Sequence, residues 1–399
     1  MLLANIFVAR IVSLEEYGQV GILQTTVAMV GAFSGFGLGL TATKFIADNR
    51  EKNSHKTGNI ISLVFIVSVF SALIFSSLLF FNSAFISSNI LNEENLVQAL
   101  RISSLALFFS TLNGAIIGML SGFEAFKKIG LINLLIGAIT FPVLFYLTDQ
   151  LGVNGYMLGF SSILFANVFM NLVGLLHEMK KIKINFVEIR PSKELSVLYK
   201  FSLPAALGGF LVGPINWIAN TILVNSENGY TEMAYYNAAN QWFYVLLFLP
   251  NIVTNVLLPI VSNNFSSGHR KESMKILRLS FLINLCFLVP FLALGIFFSE
   301  TIMSLFGQEY TSSSLILIIT FITVALMVVN APIGNMFAVT NKMWTGLTMN
   351  LIWAVIFLIF SYNLVLYGAL GICVARLIAY LSHTILQYTY IANYFGKQN

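Results

Sequence analysis

The chain has 399 residues, of which 57% are hydrophobic and only 9% charged, with a mean hydropathy of +0.84. Soluble domains carry about 25% charged residues, so a water-soluble globular protein is excluded. The net charge of +5 would suit a nucleic-acid partner, but the basic residues crowd the segments flanking apolar stretches, where membrane lipids with anionic headgroups are the fitting partner and nucleic acid is not.

Apolar stretches fall near residues 1–12, 18–43, 59–81, 97–121, 130–147, 153–176, 202–224, 234–261, 277–298, 313–339, 345–361 and 366–392. Most have the roughly 20 residues a helix needs to cross the hydrocarbon. The fold expected is all-α, a polytopic transmembrane protein of about 12 helices. The first stretch is odd: Met1 to Arg10 makes about 15 Å of helix, half a crossing. No charged start or small-residue cleavage site marks a signal peptide. An incomplete first helix is expected, short by about 15 to 20 residues, with a tilted or re-entrant helix as the alternative.

The connections alternate in charge. One set holds Lys44, Arg50, Lys52 and Lys56; Lys127 and Lys128; Lys180, Lys181, Lys183, Arg190, Lys193 and Lys200; Arg270, Lys271, Lys275 and Arg278; Lys342; and Lys397. The other set holds only acids: Glu15 and Glu16, Glu93 and Glu94, Asp149, Glu227 and Glu232, Glu300 and Glu309. Loops rich in Lys and Arg stay in the cytoplasm, which puts the carboxyl terminus inside.

Glycine ladders at Gly31, Gly35 and Gly39 in the second stretch, and at Gly114, Gly118 and Gly122 in the fourth, are expected to let helices approach closely. The chain is also doubled. Asn113, Ile116, Met119 and Asn133 recur as Asn330, Ile333, Met336 and Asn350, and Gly152 and Gly155 recur as Gly368 and Gly371. Six spans per repeat is an even number, so both repeats enter from the same side as parallel, six-helix lobes. The domains expected are a first lobe over 1–177, a basic cytoplasmic linker over 178–200 and a second lobe over 201–399. The stretch PSKELSVLYKFSLP, with Leu195, Leu198 and Phe201 at helical spacing, is expected on the membrane surface.

Two lobes with a cleft between them suit a transporter. None of the 16 acids lies deep in a stretch, and a buried carboxylate is what cation exporters and most ion-driven carriers use. No phosphate-binding Gly-Lys-Ser/Thr loop is present. Cys286 and Cys373 sit inside apolar stretches and suggest neither disulfides nor a metal site. No cofactor is expected, nor a catalytic residue.

Of the 21 basic residues, only Arg10, Arg101 and Arg376 fall outside the cytoplasmic set. A guanidinium facing the cleft would draw an anionic substrate, its planar fork suiting phosphate. The bland alternative is snorkelling or pairing, for example Arg10 with Glu15 or Glu16. Lys44 is a fourth candidate, against plain cytoplasmic anchoring.

The seventh and eighth stretches carry many amides. Asn216 and Asn220 share a helix face, as do Asn237 and Gln241, and Asn251 and Asn255, with Asn240 beside them. Trp217, Tyr236, Trp242 and Tyr244 stand among them. Amides and aromatic rings match sugar hydroxyls and sugar faces; equally, amides bond helix to helix in membranes. Pro204, Gly209, Gly213 and Pro214 form a candidate hinge in the seventh stretch.

The stretches ARIVSLEEYGQVG from Ala9, GLGLTATKFIA from Gly37, FSLPAALGG from Phe201 and LPNIVTNVLLPIVS from Leu249 resemble the polysaccharide export family. These are the O-antigen-type, Wzx-like flippases of the multidrug, oligosaccharidyl-lipid and polysaccharide exporter superfamily. The resemblance covers nearly the whole chain. It implies two six-helix lobes in the bacterial inner membrane. It also implies translocation of an undecaprenyl-pyrophosphate-linked oligosaccharide, an O-antigen or capsule repeat unit, from the cytoplasmic to the outer leaflet by alternating access. Arg10 matches the arginine that this family carries before its first outer loop. A polysaccharide polymerase and a chain-length regulator are the implied protein partners. The competing readings are a multidrug antiporter of the same superfamily and, more remotely, a membrane polysaccharide polymerase.

Overall fold

The computed structural model describes residues 1–182, 211–266, 270–339 and 343–396. All regular structure among them is helical. Hydrocarbon imposes this, because a helix satisfies every backbone N–H and C=O within one segment. The main helices are α1 (Leu2–Ile11), α2 (Leu14–Gly35), α3 (Leu38–Asn49), α4 (Ser54–Phe81), α5 (Val97–Gly122) and α6 (Phe126–Lys181). They continue as α7 (Val212–Val224), α8 (Gly229–Ser266), α9 (Arg270–Phe297), α10 (Ser314–Val339), α11 (Met343–Leu364) and α12 (Gly368–Gly396). Among the described residues six stretches are long and apolar enough to cross a membrane, or seven if α2 and α3, bent by 45° at their junction, count as one span. The protein is a multi-pass membrane protein. Of the linker expected at 178–200, residues 183–200 lie outside the described residues, as does the rest of the surface segment, with Pro204 and Gly209.

By their contacts, residues Gln19–Trp217, with Met1 and Leu3, form one compact unit. Its core joins Leu38, Ala42 and Ile46 of α3, Ile60, Ile61 and Val64 of α4, Ile116 and Met119 of α5, and Leu175 and Met179 of α6. The glycine ladders divide in function. A Cβ on Gly118 would lie 2.3 Å from the Gly39 carbonyl oxygen, and one on Gly122 would lie 2.7 Å from Ile46 Cβ, so these residues set the α3–α5 approach. Thr43 Oγ1 donates across the same contact to Gly118 O at 2.9 Å. Gly31, Gly35 and Gly114, together with Gly39, line a cavity of about 430 Å³ with Ser110 and Thr111. Three basic-side turns of this unit meet: Arg50 pairs with Glu124 at 2.7 Å and donates to Gly122 O, while Lys128 pairs with Glu178 at 2.7 Å.

The second unit comprises Ala4–Gly18 and Ile218–Asn399, with Leu2. Asn5 on α1 donates to Gln241 Oε1 on α8 at 2.8 Å. Tyr17 packs edge-on against Tyr310, with ring centroids 6.1 Å apart. Ser13 and Glu16 form a capping box at the start of α2, with Ser13 N–H donating to Glu16 Oε2 at 2.9 Å and Glu16 N–H to Ser13 Oγ at 3.2 Å.

The duplication read from the sequence is visible in the backbone of each unit. α4 and α9 are both followed by a short helix and a 3-10 turn (Ser83–Phe85 and Glu94–Leu96; Ser299–Ser304 and Gln308–Ser313) before α5 and α10 begin. Gly152, which breaks the 56-residue α6, has φ 56° and ψ −135°; Gly368, which opens α12, has φ 60° and ψ −141°. That conformation is open to glycine and strained for other residues. Three residues on, a Cβ would lie 1.8 Å from Leu147 O at Gly155 and 1.9 Å from Leu364 O at Gly371. Each repeat therefore turns between its fifth and sixth spans on the same Gly-x-x-Gly device.

Because the Gly118 site has no room and Gly114 faces open space, Gly118→Ala is expected to cost about 1–3 kcal/mol and Gly114→Ala to be near neutral. Thermal unfolding of the two variants in detergent checks this; equal losses would contradict the close contact.

Candidate functional site

α12 carries the most unusual group of the molecule. At 1.5 Å per residue, Arg376 sits about 12 Å along the helix from its start at Gly368, and it is only 3% exposed. Its Nη1 donates to Asn240 Oδ1 at 2.8 Å and to Tyr236 Oη at 3.2 Å, both on α8, and its Nη2 to Thr320 Oγ1 on α10 at 3.3 Å. The guanidinium also lies over the rings of Phe243, at 4.8 Å, and Tyr236, at 5.2 Å. Its Nε has no partner. Among the described residues the ion pairs are Arg50 with Glu51 and Glu124, and Lys128 with Glu178, and no Asp or Glu is buried. Arg376 is thus a buried cation held by neutral partners alone. Such a group is expensive in hydrocarbon and is found where function uses it.

The other three basic candidates lie elsewhere. Arg10 is exposed and donates from Nε to Leu305 O at 2.6 Å, while Glu16 is engaged by Ser13. Arg101 is exposed, donates to Ser83 Oγ at 3.3 Å and lies 5.6 Å from the Phe80 ring centre. Lys44 is exposed and lies 5.5 Å from the Phe45 ring centre.

The amides separate into several settings. Asn240 serves Arg376. Asn237 and Gln241, three residues before it and one after, are buried and joined to α1 by the chain Asn5–Gln241–Asn237, with Gln241 Nε2 donating to Asn237 Oδ1 at 3.3 Å. Here the helix-to-helix alternative describes the bonding. Asn216 donates to Val212 O of its own helix at 2.7 Å, and Trp217 Nε1 donates to Thr26 Oγ1 of α2 at 2.9 Å. Asn220 is buried with its Oδ1 unpartnered. Asn251 and Asn255 lie on α8, and their side chains are outside the described residues. Gly213 and Pro214 stand in the first turn of α7, where a proline lacks an N–H that would have no helical partner anyway.

Two partners of Arg376 escaped the sequence reading, Thr320 and Phe243, as did residues that do not touch it: Asn5 on α1 and, farther along α12, Tyr380, His383 and Gln387. A signal for the last three existed, since 376, 380, 383 and 387 recur at spacings of four, three and four along one helix face. Glu232 positions that helix: its Oε2 accepts from Ala369 N at 2.7 Å, at the amino end of α12, where the helix dipole favours an anion. Among the described residues, no three His, Cys, Asp or Glu side chains converge as a metal site would require. What the arrangement can do is hold an anion, with a fixed cation, a hydroxyl and an amide in an aromatic wall.

A family model described as polysaccharide biosynthesis protein matches residues 7–315. The EPS I polysaccharide export inner membrane protein EpsE of Ralstonia nicotianae is 24% identical over 201 residues, covering 49% of this chain and 45% of EpsE. The probable low-salt glycan biosynthesis flippase Agl15 of Haloferax volcanii is 24% identical over 198 residues, 49% of this chain and 41% of Agl15. The chain thus spans a little under half the length of the curated relatives it matches. Among solved structures, an inward-facing multidrug resistance MATE family transporter of the MOP superfamily superposes with a TM-score of 0.83 at 14% identity, covering 98% of this chain and 94% of that one. The lipid II flippase MurJ, in an inward closed conformation, gives 0.75 at 17% identity, with 98% and 84% covered. The all-helical fold is the one these transporters share.

Removing one partner of a buried charge costs more than removing both. Asn240→Leu is expected to lose about 1.5–3 kcal/mol, the range for a hydrogen bond to a charged group, whereas Arg376→Met combined with Asn240→Leu is expected to recover most of that stability. Thermal midpoints of the two single variants and the double variant test this; strict additivity would refute the coupling.

Proposed function

We propose that this chain, which belongs to the polysaccharide biosynthesis protein family, carries an oligosaccharide linked to a polyprenyl diphosphate from the cytoplasmic to the outer leaflet of the inner membrane. The observation that carries this reading is the Arg376 guanidinium, buried at 3% exposure with neutral partners and an unpartnered Nε. A lipid-linked glycan has an anionic diphosphate, a hydrophilic sugar chain and an apolar tail, so only its head needs a polar path. Arg376 neutralises the diphosphate, and the unpartnered amide oxygen of Asn220 and the exposed ring of Tyr244 serve the sugars. The tail stays in lipid, and rocking of the two lobes changes the exposed side. The substrate is an undecaprenyl-diphosphate repeat unit of O-antigen or capsule type, delivered to a polymerase and its chain-length regulator. The carboxyl terminus faces the cytoplasm, a reading supported by the alternation of basic and acidic connections and by the meeting of basic-side turns around Arg50 and Lys128.

The multidrug reading draws on the same fold, but the absence of a buried carboxylate among the described residues weighs against it.

Complementation of a flippase-null strain tests the proposal. The unaltered gene is expected to restore surface polysaccharide. Arg376→Gln is expected to lose at least tenfold while still reaching the membrane, and Arg376→Lys to rescue poorly because an ammonium lacks the planar fork. Dye efflux without polysaccharide would overturn the reading.

A further inference from the structure

Beyond Arg376, the same face of α12 leads to a buried histidine. His383 is 8% exposed and Gln387 5%. The imidazole Nε2 lies 3.2 Å from Asn350 Oδ1 on α11 and 3.3 Å from Gln387 Nε2. Tyr380 meets the imidazole edge-on, with ring centroids 6.5 Å apart, and meets Trp353 at 5.3 Å. His383 Nδ1 has no partner, and neither have Gln387 Oε1, Trp353 Nε1 and, on α10, Asn330 Oδ1. A buried polar column thus ends in a neutral-partnered imidazole with one ring nitrogen unpartnered.

The groups facing this imidazole determine when a proton can enter. α11 contributes Asn350 at the imidazole and Trp353 against Tyr380, both neutral, and α10 contributes Asn330, whose amide donates to the neighbouring Thr384. α12 contributes Tyr380, Gln387 and, two turns away at about 10 Å of helix rise, Arg376; beside Arg376 stand Cys373 and, from α8, Tyr236. Phenols and thiols are neutral at physiological pH, so Arg376 is the one charge among them. With the site empty, a proton on His383 would be a second buried cation on one helix, without a carboxylate among these neighbours. An anion on Arg376 removes that obstacle and attracts the proton. Anion and proton then favour each other by the same factor, as linkage requires.

We propose that His383 is a protonation site that loads together with the diphosphate head at Arg376, so that one proton enters the binding equilibrium. The inference rests on the assignment of Arg376 as the anion site. Its sign follows from the bound anion raising the imidazole pKa. The extra affinity is complete below the pKa of the empty protein and is lost as pH rises through that of the complex, with a slope of at most about tenfold per pH unit.

The test uses the purified chain in detergent and citronellyl-diphosphate-linked N-acetylglucosamine, whose diester phosphates do not titrate between pH 5 and 8. Affinity is measured by calorimetry across that range. The unaltered protein is expected to bind more tightly as pH falls, and H383Q to match it at pH 8 but show no pH dependence. N350D, which sets a carboxylate beside the imidazole, is expected to move the onset to higher pH, and it decides the matter if H383Q does not fold. A slope that persists in H383Q, or a flat profile in the unaltered protein, overturns the proposal while leaving the anion site standing. Binding at pH 8 that R376Q does not weaken overturns both.

Discussion

A guanidinium buried in an apolar interior without a counter-anion constrains everything around it. Arg376 cannot be left bare, so α8 supplies Tyr236 and Asn240, α10 supplies Thr320, and the rings of Phe243 and Tyr236 face the cation. These bonds tie three helices of the second unit together at one point. Neutral partners spread the charge without cancelling it, which sets this group apart from an ion pair. The basic-side turns of the first unit make the contrast: there Arg50 and Lys128 meet Glu124 and Glu178 directly.

The duplication gives the same backbone solution twice. Gly152 and Gly368 take the same left-handed conformation, and Gly155 and Gly371 press against carbonyls of the preceding helix. Conservation of geometry between repeats follows from one steric fact, that a Cβ fits at none of these four positions without strain or displacement. Side-chain chemistry has diverged on that shared frame. Asn113 accepts from Asn171 in the first unit, while Asn330 donates to Thr384 in the second, and the column that runs from Arg376 to Gln387 belongs to α12.

Legibility varied with the range of the physics involved. The apolar stretches, the charge alternation and the Gly-x-x-Gly recurrence are local patterns, and the helices and crossovers follow them closely. The glycine ladders were legible as a class but not one by one: Gly118 and Gly122 make the helix contact, Gly31, Gly35 and Gly114 line a cavity, and Gly39 takes part in both. The amides show the same limit. Asn237 and Gln241 share a face by spacing, yet only the packing of α1 against α8 brings Asn5 to them. Arg376 stood out because charge inside an apolar stretch is rare; its partners Thr320 and Phe243 are ordinary residues in membrane helices and gave no signal.

By itself the sequence determined that this protein is helical, crosses a membrane many times, is built as a repeat and keeps acids out of its apolar stretches. Each of those follows from hydrophobicity, helix length and charge counted along the chain. Tertiary structure alone decided which of the outlying arginines is buried, which amides serve it, and that His383 lies on the same buried face. Partners hundreds of residues apart in sequence, such as Asn5 and Gln241 or Arg376 and Asn240, are chosen by the packing of helices. No periodicity within a single helix encodes its neighbour.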